Sequence, residues 1–85
     1  MPVPISVLIA AHIQKLCHQR GISIYQLAQM GGLADSTLDN IMNRRSAYPS
    51  IKTLVRIANA FGLTVAEFLD FPALNDYSYE DDTDA

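Results

Sequence analysis

Apolar residues recur along the chain in clusters spaced three and four apart, and polar or glycine residues separate the clusters. Ile9, Ile13 and Leu16 follow such a rhythm after Ser6, which stands as a possible N-cap, and the rhythm stops at Gly21. A second helix is expected from Ser23, with Gln26 three positions on in the capping-box relation and Leu27 and Ala28 turned inward. Gly31 and Gly32 end it, and Leu33 follows as an apolar plug. A third helix is expected from about Asp35 to Asn43. At about 100° per residue, Leu38, Ile41 and Met42 share one side of it, and Ser36, Asn40 and Asn43 share the opposite one. Residues 44 to 49 break the pattern. Ser50 then caps a fourth helix carrying Leu54, Ile57, Ala58 and Phe61 inward as far as Gly62. Thr64 and Glu67 repeat the capping box before Val65, Phe68 and Leu69, and Pro72 discourages continuation. No stretch alternates with period two for long enough to suggest a sheet, so the expected class is all-α: a compact bundle of five helices.

Length and composition narrow this further. A chain of 85 residues holds one core, and 49% hydrophobic residues is ordinary for a folded domain. The single cysteine, Cys17, has no internal disulfide partner and reads as buried packing, which suits a cytoplasmic location. The apolar run from Val3 to Ala11 is broken by Pro4 and Ser6 and falls well short of the ~20 residues of a membrane span, so no membrane association is expected.

The formal charge of −3 opposes nucleic-acid binding until its distribution is considered. Asp76, Glu80, Asp81, Asp82 and Asp84 lie in the last ten positions, whereas all six basic residues precede Phe71. Residues 1–75 hold six basic and four acidic residues, a mild positive balance. The expected organisation is therefore a helical domain over 1–74 and a disordered acidic tail over 75–85.

The segment from Ile13 to Asp70 resembles the lambda-repressor-like helix-turn-helix proteins, the repressor and Cro class also called the xenobiotic-response-element family. The resemblance is carried by Arg20-Gly21-Ile22-Ser23, Gln26-Leu27-Ala28, Gly32-Leu33, Ser36-Thr37-Leu38 and Asn40-Ile41. Pro49-Ser50, Thr53-Leu54, Ile57-Ala58 and Phe61-Gly62-Leu63 complete it. It implies a third helix lying in the major groove of double-stranded DNA, a second helix across the backbone, and in many members a homodimer on a pseudo-palindromic operator. By residue-wise match, Asp35, Ser36 and Asn40 fall at base-reading positions. Ser23, Thr37, Asn43, Arg44, Arg45, Ser50 and Lys52 fall at or near positions that touch the phosphate backbone. The chain departs from the family pattern at several positions. Ile24 replaces a common Gln, Ala34 a common Ser or Thr cap, and Arg44 a frequent Gly, while Asp39 joins Asp35 in adding negative charge to the face that meets DNA.

Simpler roles remain for several residues. Asp35 suits the first turn of a helix by its charge alone, and Lys15 and Arg56 read as solvated helix positions. His12 and His18 lie six apart on one helix and do not form a zinc-ligand set with the lone Cys17. No nucleophile, base and orienting group come together, so neither catalysis nor a cofactor is expected. The leading expectation is sequence-specific DNA binding by a small transcriptional regulator, a repressor in the commonest form. The alternative is a protein-interaction module, antitoxin-like or partner-binding, that turns the acidic side of helix three toward a basic protein partner. Pairing of two copies would use either the apolar N-terminus (Val3, Ile5, Val7) or the aromatic C-terminal segment (Phe71, Tyr77, Tyr79).

Overall fold

Caps and glycines divide the chain much as the pattern predicts. The computed structural model describes residues 4–43 and 48–77, which form α1 (Ile5–Arg20), α2 (Ile24–Gly31), α3 (Asp35–Asn43), α4 (Ile51–Ala60), α5 (Val65–Leu69) and α6 (Pro72–Asn75). Both expected capping boxes are present: Ser23 with Gln26, and Thr64 with Glu67, each with its two reciprocal hydrogen bonds. Ser50 caps α4 by accepting from the Thr53 N–H.

Three helix ends share one device. The N–H groups of Ile22, Leu33 and Leu63 reach back to the carbonyls of Cys17, Ala28 and Ala58 at 3.0, 2.8 and 2.9 Å. In each case the residue just before is a glycine with positive φ, and the apolar residue itself packs against the core. This Schellman closure satisfies carbonyls that the helix leaves unpaired, and it also turns a side chain inward.

Two expectations are corrected at the ends of the fold. Helix one begins before Ser6: Pro4 is its N-cap, at φ −58° and ψ 146°, and the Pro4 carbonyl accepts from Val7 and Leu8. Ser6 instead lies inside the first turn and is buried. The described helices number six rather than five, because Pro72 starts α6 instead of preventing a helix. A proline has no N–H to donate, and at the first helical position none is needed. The Asp76 and Tyr77 N–H groups bond back to the Pro72 and Leu74 carbonyls and close α6. The rest of the acidic tail, 78–85, lies outside the described residues.

The core forms where α1 meets the helices that follow it. Ile13, Leu27, Leu38, Ile57 and Phe68 are wholly inaccessible to solvent, with Ile9, Cys17 and Phe61 nearly so. Burial pushes the Cys17 thiol above its ordinary range, in keeping with a packing role. Most of the apolar positions named from periodicity are buried or packed against this cluster. At the C-terminal end the chain folds back on α1. The Phe71 ring stacks on His12 with centroids 3.8 Å apart and planes at 14°, and Phe68 lies 5.3 Å from the same imidazole. Phe71 is accordingly buried and does not offer the exposed pairing surface expected of it.

This aromatic contact makes stability depend on pH. Burial among the rings lowers the His12 pKa; a hydrogen bond to the Phe68 backbone opposes the shift and the nearby Lys15 charge adds to it. The unfolded chain, with a histidine pKa of about 6.5, therefore takes up the proton before the folded chain does. The contribution of neutral His12 is present above that value and is lost as pH falls toward the folded pKa. Melting temperatures should fall between about pH 7 and pH 5. His12→Gln should flatten that part of the profile, and a variant with the wild-type slope would assign the loss to other groups.

Candidate nucleic-acid interface

The side of the molecule formed by α2, the following turn and α3 collects most of the residues singled out for DNA. Ser23 opens α2, where its Oγ accepts from the Gln26 N–H at 3.0 Å and its own N–H donates to Gln26 Oε1 at 2.8 Å. The helix ends at a turn whose two glycines have different reasons. Gly32 adopts φ +65°, which a residue with a Cβ reaches only with strain. At Gly31 an added Cβ would stand 3.2 Å from the Arg56 carbonyl of α4, closer than ordinary packing allows.

Arg56 closes this turn from the other side. Its guanidinium donates to the Gly32 carbonyl at 3.1 Å across 24 residues of sequence. The expectation of a merely solvated Arg56 is thus corrected: the side chain is exposed but ties α4 to the helix-turn-helix connection. No local pattern could have revealed this, because the acceptor is a backbone carbonyl available in any turn.

Leu38 and Ile41 are buried and Met42 is partly so, which fixes the rotation of α3 about its axis. Asp35, Ser36, Asp39, Asn40 and Asn43 are all exposed on the opposite side. Thr37 is half-buried, and its N–H donates to the Ala34 carbonyl at 3.0 Å. The Asn43 amide turns back along its own helix, donating to Asp39 Oδ1 at 2.8 Å and to the Asp39 carbonyl at 2.9 Å. Sequence reading treated these two residues separately, although their i, i+4 spacing is the signal for such a pair.

Between α2 and α3 runs an open cleft of about 470 Å³. Ile24, Ala28 and Met42 supply apolar lining, and Asp35, Ser36 and Asp39 line it from α3. Ile24 lines it where a glutamine is common, so this wall lacks the amide that a polar residue would present. Tyr25 is largely exposed at the same cleft, and its hydroxyl accepts from Gln29 Nε2 at 2.8 Å. The structure thus brings Asp35, Ser36, Asp39 and Asn43 to one cleft, whereas Asn40 lies farther round α3.

The other expected backbone contacts stand at the start of α4. Ser50 bonds to the Thr53 N–H at 3.2 Å and to the Thr53 hydroxyl at 3.1 Å, and Lys52 is exposed in the first turn. The free N–H groups of such a helix start favour anions. Arg44 and Arg45 lie outside the described residues. Among the described residues no three His, Cys, Asp or Glu side chains gather as a metal site, and no helix is long and apolar enough to cross a membrane.

This arrangement has counterparts among known proteins. The profile of the Cro/C1-type HTH DNA-binding domain matches residues 12–73. The crystal structure of the prophage Lp1 protein 11 superposes with a TM-score of 0.75 at 29% identity, covering 85% of this chain and 95% of that one. The N-terminal DNA binding domain of SinR from Bacillus subtilis gives 0.66 at 28% identity, over 75% of this chain and 93% of that one. No curated protein matches the chain.

Two substitutions should separate the parts of the turn. Gly32→Ala should destabilise the domain by about 1–2 kcal/mol, the strain of a left-handed residue with a Cβ. Arg56→Ala should cost about 0.5–1.5 kcal/mol for one hydrogen bond at an exposed site. Denaturant unfolding measures both, and a Gly32→Ala midpoint equal to wild type would mean that the turn tolerates another backbone path.

Proposed function

The chain belongs to the Cro/C1-type helix-turn-helix DNA-binding family, and from that premise we propose that it reads a specific duplex operator with α3 and acts as a transcriptional regulator, most simply a repressor. The observation that carries this reading is the α3 surface: Leu38 and Ile41 hold one side in the core while Ser36 and Asn40 present hydrogen-bonding groups on the other. Such groups can meet base edges in the major groove. An Asn amide offers a donor and an acceptor that match adenine N6 and N7. In this reading Asn40, Ser36 and Asp35 face bases. Ser23, Thr37, Asn43, Arg44, Arg45, Ser50 and Lys52 lie toward phosphates, where they fix position without selecting sequence.

The protein acts as a homodimer in the cytoplasm, with two copies on half-sites about one helical turn apart, roughly 34 Å. The burial of Phe71 against His12, with α6 packed on α1, bears on the pairing surface. The N-terminal and C-terminal alternatives become neighbours: Leu8, Ala11 and Lys15 of α1 line one cleft with Pro72 and Ala73 of α6. A second reading has a specific observation in its favour. Asp35 and Asp39 put two carboxylates on the α3 surface, which suits a basic protein partner in an antitoxin-like module. Selection of bound duplexes from a random library at fixed salt separates the two. A motif with two related half-sites supports the regulator, and absence of enrichment supports the partner.

Within the DNA reading, two substitutions have distinct signatures. Asn40→Ala should lose about 1–3 kcal/mol on the selected site and relax preference at one base pair of each half-site, with random duplexes nearly unaffected. Arg45→Ala should weaken all duplexes alike and flatten the slope of log affinity against log salt by about one unit per contact. Melting and helical content establish first that both variants fold. Equal losses on selected and random duplexes for Asn40→Ala would remove that residue from the reading set.

A further inference from the structure

The exposed side of α3 has a centre, and an acidic residue stands beside it. With about 100° between successive residues and Asp35 at zero, Asp39 falls near 40°, Asn43 near 80°, Ser36 near 100° and Asn40 near 140°. Leu38, Ile41 and Met42 fall at about 300°, 240° and 340° and face the core, so the outward direction lies at about 110°, among Ser36, Asn43 and Asn40, with Asp39 between them and Asp35. A helix laid into a groove along this arc brings Asp39 nearer the floor than Asp35, on the flank of α3 that lines the cleft with α2.

The Asp39 carboxylate is also held in place. Asn43 grips its Oδ1 at 2.8 Å and the Asp39 backbone carbonyl at 2.9 Å, which limits the rotamers of both side chains before any DNA arrives. The amide bonds to Oδ1, which leaves Oδ2 as a further acceptor. An acceptor so fixed requires a donor, and only two base edges offer one in the major groove: adenine N6 and cytosine N4. Adenine places its N7 acceptor beside N6, where it repels a carboxylate. Guanine shows two acceptors, and thymine an acceptor and a methyl group. Cytosine alone presents a donor with no acceptor of its own on that edge.

We infer that Asp39 is a specificity-determining residue that selects cytosine in each half-site, with Asn43 as the residue that positions its carboxylate. The inference rests on the DNA reading above and deepens it. The negative charge has a second effect: where cytosine is absent it faces base acceptors and nearby phosphates with nothing to offset it, so it lowers affinity for unrelated duplexes. Asp39 therefore acts by selective repulsion as well as by attraction.

The test is selection from a randomised duplex library at one stated salt concentration, run in parallel with wild type, Asp39→Ala, Asp39→Asn and Asn43→Ala. Wild type should enrich a motif with one cytosine per half-site, preferred about fivefold or more. Asp39→Ala should lose preference at that position alone and bind random duplexes more tightly. Asp39→Asn should move the preference toward adenine, an outcome that a purely structural role would not produce. Asn43→Ala should weaken the cytosine preference without shifting it to another base. An Asp39→Ala motif identical to wild type would overturn the inference and leave the DNA reading standing. A wild type that enriches no duplex would overturn both. Alanine is a better helix former than aspartate, so Asp39→Ala should fold, and its melting curve checks this.

Discussion

The direction in which α3 leaves α2 is set at one backbone position, and the interface depends on it. Gly32 takes a left-handed conformation that ends α2, and the next N–H, from Leu33, closes on Ala28 while its side chain packs inward. From that point Leu38 and Ile41 meet the core only if α3 starts at the right angle. α4 supplies the outer brace, through the close approach of its backbone to Gly31 and the bond from Arg56 to the Gly32 carbonyl. The exposed side of α3 is thus a consequence of packing: burial of its apolar residues decides which polar residues face outward. In a chain of this size one core performs that service, so a loss of stability and a loss of recognition are expected to travel together.

How much of this was legible in the sequence follows from the range of the interactions involved. The caps at Ser23, Ser50 and Thr64 are local, three residues from donor to acceptor, so residue type and spacing identified them, and periodicity identified the sides that α3 and α4 bury. Failures of the sequence reading came where a residue has two local meanings or a distant partner. Pro72 and Ser6 belong to the first kind: a proline both ends helices and starts them, and a serine near a helix start is not always the cap. Arg56 and Phe71 belong to the second, since their partners, Gly32 and His12, lie 24 and 59 positions away. Among the candidate site residues, the exposure of Ser36 and Asn40 could be read from the wheel. The bond between Asn43 and Asp39 required side-chain geometry, although their spacing allowed it.

Charge supplies the remaining constraint on how such a chain meets DNA. A protein with formal charge −3 has few cations to neutralise phosphates, and two of the six are otherwise engaged. Arg56 binds a turn carbonyl, and Arg20 lies over the Phe61 ring at 5.4 Å. Each phosphate contact steepens the salt dependence and adds affinity for every duplex equally. A small number of them leaves the sequence-independent part of binding weak, and carboxylates on α3 weaken it further. The ratio of specific to nonspecific binding need not suffer, because it depends on base contacts that wrong sequences do not supply. Under the proposed two-copy binding, what is given up is tenacity on any single half-site. Joining two half-sites restores it, since the second contact is made at the high effective concentration set by the first. On this argument the acidity of α3 and the proposed pairing of two copies are linked: the more a reading helix repels the wrong duplex, the more such a protein would depend on a partner copy to hold the right one.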